Sequence, residues 1–87
     1  MRAIVTVVGK DKIGIIAKVC TVLAEHDVNV LDISQTILHD YFNMIMIVEY
    51  QEGTFEGVYE NLKKTGEALG VEIRVQREEI FEAMHRV

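Results

Sequence analysis

Two short runs in this 87-residue chain are apolar on both faces of a strand. From Arg2 to Val8, Ile4 and Val8 fall on one face and Ala3, Val5 and Val7 on the other, with Thr6 interrupting. Met44-Ile45-Met46-Ile47-Val48 is apolar at every position. Side chains alternate along a strand, so a run of this kind must be covered on both sides and belongs in the middle of a sheet.

The neighbouring segments supply that cover. Ile13, Ile16, Ala17, Cys20, Leu23 and Ala24 recur at helical spacing, with Val19 and Val22 widening the stripe. This predicts a helix over about residues 12–26, with Asp11 as its N-cap and His26-Asp27 as its end. Val28 to Leu38 mixes apolar and polar positions as an edge strand does. His39-Asp40 turns it into the second two-sided run, Tyr41 to Tyr50. Thr54 is the expected N-cap of a second helix with the stripe Phe55, Val58, Tyr59, Leu62 and Leu69; Gly57 replaces the acid of a full capping box. Gly70 closes that helix. Val71, Ile73 and Val75 alternate with Glu72, Arg74 and Gln76 in a fourth strand, and Ile80, Phe81, Met84 and Val87 fall on one side of a tail helix.

The order β-α-β-β-α-β, with two right-handed crossovers about a hairpin, predicts an α+β fold of ferredoxin-like architecture. It is a two-layer sandwich, a four-stranded antiparallel sheet with both helices on one face, followed by a short C-terminal tail helix. Residues 1–77 form the domain and 78–87 the tail. Strands one and three take the centre, as their two-sided apolar character requires. The face without helices then carries alternate residues of both central strands, and an apolar patch of that size does not normally stay in water. Either the tail helix or a second subunit covers it; we expect a homodimer with the tail at the interface.

Composition narrows the function. Hydrophobic residues make up 49% of the chain, more than so small a core needs, which again favours a dimer. A formal charge of −5 speaks against nucleic acid, and no basic amphipathic helix speaks for a membrane surface. No apolar run is long enough to span a bilayer and no secretory leader is recognisable. The single Cys20 cannot form an intrachain disulfide and reads as a core residue, so a reduced, cytoplasmic setting is expected. His26, His39 and His85 have no metal-ligand spacing, and neither a metal nor a cofactor is expected. Without a Ser-His-Asp set, paired carboxylates in a cleft or a cofactor motif, the chain does not read as an enzyme. Gly9 and Gly14 have the spacing of a P-loop, but Ile15-Ile16 replace its Lys and Ser/Thr.

Gly9-Lys10-Asp11-Lys12-Ile13-Gly14-Ile15-Ile16-Ala17 is a strand-to-helix corner. Unpaired N–H groups at a helix start can hold an anionic group, and glycine lets a ligand approach the backbone. The same glycines could equally serve only a tight turn with close strand–helix packing. Taken with the element order, the corner resembles the ACT domain family. Asp11, Lys12, Gly14, Ile15 and Ile16 fit the family pattern, Ile13 stands where proline is common, and Val28-Asn29-Val30 matches the apolar-Asn-apolar landmark that opens strand two. The resemblance covers residues 2–76. It implies a small regulatory module, usually dimeric, that binds an amino acid, of the stand-alone kind similar to the glycine-cleavage regulators.

The resemblance also implies where a ligand would lie: between the corner of one subunit (Asp11, Ile13, Gly14 and Ile15) and strand two of its neighbour (Asn29 and Leu31). The Asn29 carboxamide can pair with either end of an amino acid, Asp11 with an ammonium, and the amides near Gly14 with a carboxylate. Gly9 departs from the histidine of some serine-binding relatives, so a serine-type site is not expected. The other reading is a protein-interaction module that adds its edge strand or apolar face to a separately made partner.

Overall fold

In the computed structural model, which describes residues 1–10 and 14–79, the two-sided runs form the centre of the sheet. β1 (Arg2–Lys10) and β3 (Tyr41–Glu49) pair antiparallel, Arg2 opposite Glu49 and Lys10 opposite Tyr41. β2 (Asn29–Leu38) flanks β3 and β4 (Glu72–Arg77) flanks β1, giving the order β2-β3-β1-β4. With α1 (Ile15–Glu25) and α2 (Phe55–Leu69), this is the ferredoxin-like βαββαβ sandwich. The tail helix expected over 78–87 falls, from Ile80 onward, outside the described residues.

Cross-strand partners share a face, so the register sorts the sheet into two surfaces. Ala3, Val5, Val7 and Gly9 of β1 lie in rows with Val48, Met46, Met44 and Phe42 of β3, and the apolar side chains of these rows form one surface. They join Ile15, Val19, Leu23, Val58 and Leu62 in the core. Ile4, Thr6 and Val8 stand in rows with Ile47, Ile45 and Asn43 on the opposite face. That face is unevenly covered: Ile45 is 42% exposed and Ile4 only 6%. Arg2 of this face pairs with Glu78 at 3.7 Å, bringing the chain after β4 toward the Ile4 end.

The start of α1 differs from the sequence expectation, and that of α2 follows it in position. α1 begins at Ile15, not near residue 12, and its N-cap is Gly14 with no side-chain cap bond; Asp11, expected as the cap, lies outside the described residues. Gly14 takes φ 88°, a left-handed conformation that glycine adopts without steric cost, and it turns the chain into the helix without a side chain. Thr54 does occupy the N-cap of α2, but its hydroxyl donates to the Gln51 carbonyl at 2.6 Å instead of accepting from a helix amide. The C-terminus of α2 follows expectation: Gly70 is left-handed and Val71 N–H returns to the Gly66 carbonyl at 2.9 Å.

The apolar stripe of α1 is also rotated. Its buried line is Ile15–Val19–Leu23, whereas Ile16, Ala17 and Ala24 are exposed and Cys20 is only half-buried. At about 100° per residue, Ile16 and Cys20 lie on one side of that line and Val22 on the other. The Val22 side meets α2, where Asn61 Nδ2 and His26 Nε2 approach to 2.5 Å. Because α2 packs on β4 and α1 lies beyond it, Ile16 and Cys20 turn toward the β2 edge.

Candidate functional site

Of the six site residues expected from the sequence, the structure describes Gly14, Ile15, Asn29 and Leu31; Asp11 and Ile13 lie outside the described residues. Gly14 and Ile15 sit where β1 has just ended, at the sheet end formed by Lys10, Tyr41 and Leu38. Asn29 opens β2 opposite Glu49, which in turn faces Arg2. The two groups are therefore at opposite ends of the sheet, separated by the length of nine-residue β1, about 27 Å at ~3.3 Å per residue. One chain does not bring them together.

The corner half has the chemistry of an open helix start. The first helical bond runs from Lys18 N–H to the Gly14 carbonyl at 2.9 Å. Among the described residues no side chain caps the preceding first-turn amides, and no acidic residue stands in that turn. A Cβ built on Gly14 would meet no atom within 4 Å. Gly14 is thus required by its backbone angle, not by packing, and its outer side is clear. Gly9 is the reverse case: its Cβ would lie 2.7 Å from Val71 Cγ1 and 3.2 Å from Val71 Cα. The missing side chain at position 9 lets the end of β1 pass against Val71. A histidine has no room there. Ile15 is buried and acts as the first core contact of α1, leaving only its backbone for a ligand.

The strand half lies on a bare edge. Among the described residues β2 pairs only with β3, which leaves its outer edge open to a further strand. A bulge between Val30 and Asp32 places Leu31 as the extra residue, and such bulges re-aim side chains locally. By register, Asn29 shares the face of Glu49, away from the helices, while Val30, Ile33, Gln35 and Ile37 share rows with Val48, Met46, Met44 and Phe42 on the helix side. Five aliphatic residues of this flank, Ile16, Val30, Leu31, Ile33 and Ile37, remain between 36% and 56% exposed. The helical period alone places Ile16 in the core stripe, and nothing in the sequence separates Ile37 from other strand residues.

Two clefts among the described residues lie elsewhere, and Gly14, Ile15, Asn29 and Leu31 line neither. One of about 390 Å³ opens at the start of α2, between Tyr50, Phe55, Glu52, Glu56 and Arg77. Its guanidinium is engaged, with Arg77 Cζ 5.1 Å from the centroid of the Phe55 ring. The other runs between α1 and α2 past Thr21 and Thr65, whose hydroxyls donate to the carbonyls of Ala17 and Asn61. Among the described residues no three His, Cys, Asp or Glu side chains gather as metal ligands, and no helix is long and apolar enough to cross a membrane.

The ACT domain model matches residues 2–76, the whole βαββαβ unit. This chain belongs to the ACT domain family. A UPF0237 protein of Bifidobacterium longum is 58% identical over 88 residues, covering 99% of this chain and 98% of that relative. The solved ACT domain protein from Streptococcus pneumoniae is 44% identical, with a TM-score of 0.83 and 98% of each chain covered. A candidate glycine cleavage system transcriptional repressor superposes with a TM-score of 0.82 at 20% identity, over 87% of this chain and 44% of that one; at that identity the likeness is one of fold.

Proposed function

We propose that this ACT domain is a homodimeric regulatory module that binds an amino acid in a cleft shared between two copies. The observation that carries the reading is the separation of the two half-sites on a chain whose β2 edge is bare and aliphatic. Antiparallel pairing of two β2 edges about a two-fold axis sets the start of one β2 beside the end of the other. The open start of α1, with Gly14, then faces Asn29 and Leu31 of the second copy. The uncapped amides hold the ligand's carboxylate. Its ammonium goes to carbonyl and carboxamide oxygens of the facing strand, and Asp11 is assigned to the same end. Burial of Ile16, Ile33 and Ile37 drives the association, at about 25 cal/mol for each Å² of apolar surface removed from water.

Regulation follows from linkage. A ligand that needs both copies binds the dimer and not the monomer, so it raises dimer population and stability together. Thermal unfolding of the chain against each of the twenty amino acids tests this. At a hundredfold excess over Kd the right ligand adds about 2.7 kcal/mol, which for a domain of this size raises Tm by about 10 °C or more. Asn29→Ala is expected to remove the shift while leaving the far-ultraviolet dichroism unchanged. Gly14→Asp, which sets a carboxylate against the carboxylate site, is expected to remove it too, with an added stability cost of about 1–2 kcal/mol for a side chain at φ 88°. If no amino acid moves Tm of the unaltered chain, the reading fails, and the bare β2 edge is better explained by a protein partner.

A further inference from the structure

We infer that the cleft at the start of α2 binds a small monocarboxylate with an apolar body, held by the Arg77 guanidinium and the Tyr50 hydroxyl. This cleft stands apart from the proposed shared site and does not depend on a dimer. It lies within one chain, at the sheet end where β1 begins and β3 finishes. Tyr50 N–H bonds to the Met1 carbonyl at 2.9 Å, so Tyr50 continues the alternation of Met46 and Val48 and turns to the helix side. Arg77 stands opposite Ala3 and so reaches the same side from β4. Between these residues and the Glu52-Gly53 turn the cleft holds about 390 Å³, enough for a small organic molecule.

Two donors in this cleft lack acceptors. Tyr50 is 6% exposed, its ring centroid 5.3 Å from that of Phe55, and a phenol so buried normally pairs its hydroxyl. The Tyr50 hydroxyl has no partner among the described residues, yet none of their buried side-chain oxygens is sealed off without one. Its Oη therefore opens onto the cleft that Tyr50 lines. Arg77 lays its guanidinium over the Phe55 ring, Cζ 5.1 Å from the centroid. Stacking holds the plane of the fork and leaves its N–H edges clear. Among the described residues those edges make no ion pair, although Glu52 and Glu56 line the same cleft. A guanidinium edge matches the two oxygens of a carboxylate, and the phenol O–H adds a further bond. Met1 and the Phe55 ring offer an apolar wall for the rest of the ligand. The exposed Glu52 and Glu56 limit its charge: one negative charge is met by Arg77, whereas a second would face two carboxylates.

Titration of the isotope-labelled full chain with phenylacetate, phenylacetamide and benzylphosphonate, followed by its amide resonances at mildly alkaline pH, tests the assignment. Phenylacetate is expected to shift the amides of Gly53, Phe55 and Arg77 and to leave that of Gly14, at the other end of the sheet, in place. It should bind at least about tenfold more tightly than the neutral amide or the doubly charged phosphonate. Tyr50→Phe keeps the ring and removes only the hydroxyl; it is expected to weaken phenylacetate binding about tenfold, as for one hydrogen bond to a charged group. Arg77→Gln, at an exposed position, is expected to weaken it further. If phenylacetamide or benzylphosphonate binds as tightly, if either variant leaves the affinity unchanged, or if no resonance around the cleft moves, the inference is overturned. If Gly14 and Leu31 shift instead, the acid has entered the shared site: this inference falls and that reading stands.

Discussion

Gly66→Val is expected to destabilise the domain by about 3 kcal/mol and to lower Tm by about 15 °C. A propensity argument alone gives the opposite sign for the smaller change Gly66→Ala, a gain of about 1 kcal/mol for removing a helix-interior glycine. Packing decides against it. A Cβ at Gly66 would stand 2.9 Å from the Val71 carbonyl oxygen and 3.1 Å from Ile73 Cγ1. The first contact is backbone, and that backbone is held: Val71 N–H bonds to the Gly66 carbonyl at 2.9 Å and Gly70 makes the left-handed exit. The helix cannot move off β4 without breaking its own cap. Thermal denaturation followed by circular dichroism should show a loss for alanine and a larger one for valine. Stabilisation by alanine would mean that α2 rides higher on the sheet than described.

If the proposed dimer pairs through β2, Ile33→Lys is expected to leave a monomer and to abolish ligand-induced stabilisation, with little change in the fold. Ile33 lies near the middle of the ten residues of β2, on the helix side and 45% exposed. A two-fold axis through the proposed pair of edges would bring it close to its own counterpart, so one substitution would introduce two like charges into one apolar seam. Lysine on an edge strand is also the usual defence against edge pairing. Light scattering at micromolar concentration should give about twice the 9.9 kDa chain mass before the substitution and one chain mass after it. A dimer that survives Ile33→Lys would move the interface to the opposite sheet face, where Ile45 and Val8 are bare.

The sheet was legible in the sequence because two-sided apolar runs leave a strand only one place to be. Strand order and turn positions followed from it, and the comparisons place the whole unit in the family that the glycine corner resembles. The phase of α1 was not legible. Apolar residues at 13, 15, 16, 17, 19, 20, 22, 23 and 24 surround so much of the helix that periodicity cannot choose between Ile15 and Ile16 as the inward residue. Only packing against α2 and the shared core makes that choice, and the residues it rejects form the flank of the proposed site. The position of the α2 cap could be read but not its hydrogen bond, since Thr54 has the right chemistry whether or not its hydroxyl turns toward the helix. The face of Asn29 depends on the register with Glu49 and on the bulge at Leu31, both properties of the pairing rather than of the strand's own residues.

The placement of Gly14 and Asn29 at opposite sheet ends has a genetic consequence. If each cleft takes its corner from one copy and its strand from the other, two defective chains can repair each other. A mixed dimer of Gly14→Asp and Asn29→Ala chains carries both lesions in one cleft and leaves the other intact. Co-expression of the two variants, each silent alone, should therefore restore ligand binding at one site per mixed dimer. A site built within a single chain would show no such complementation.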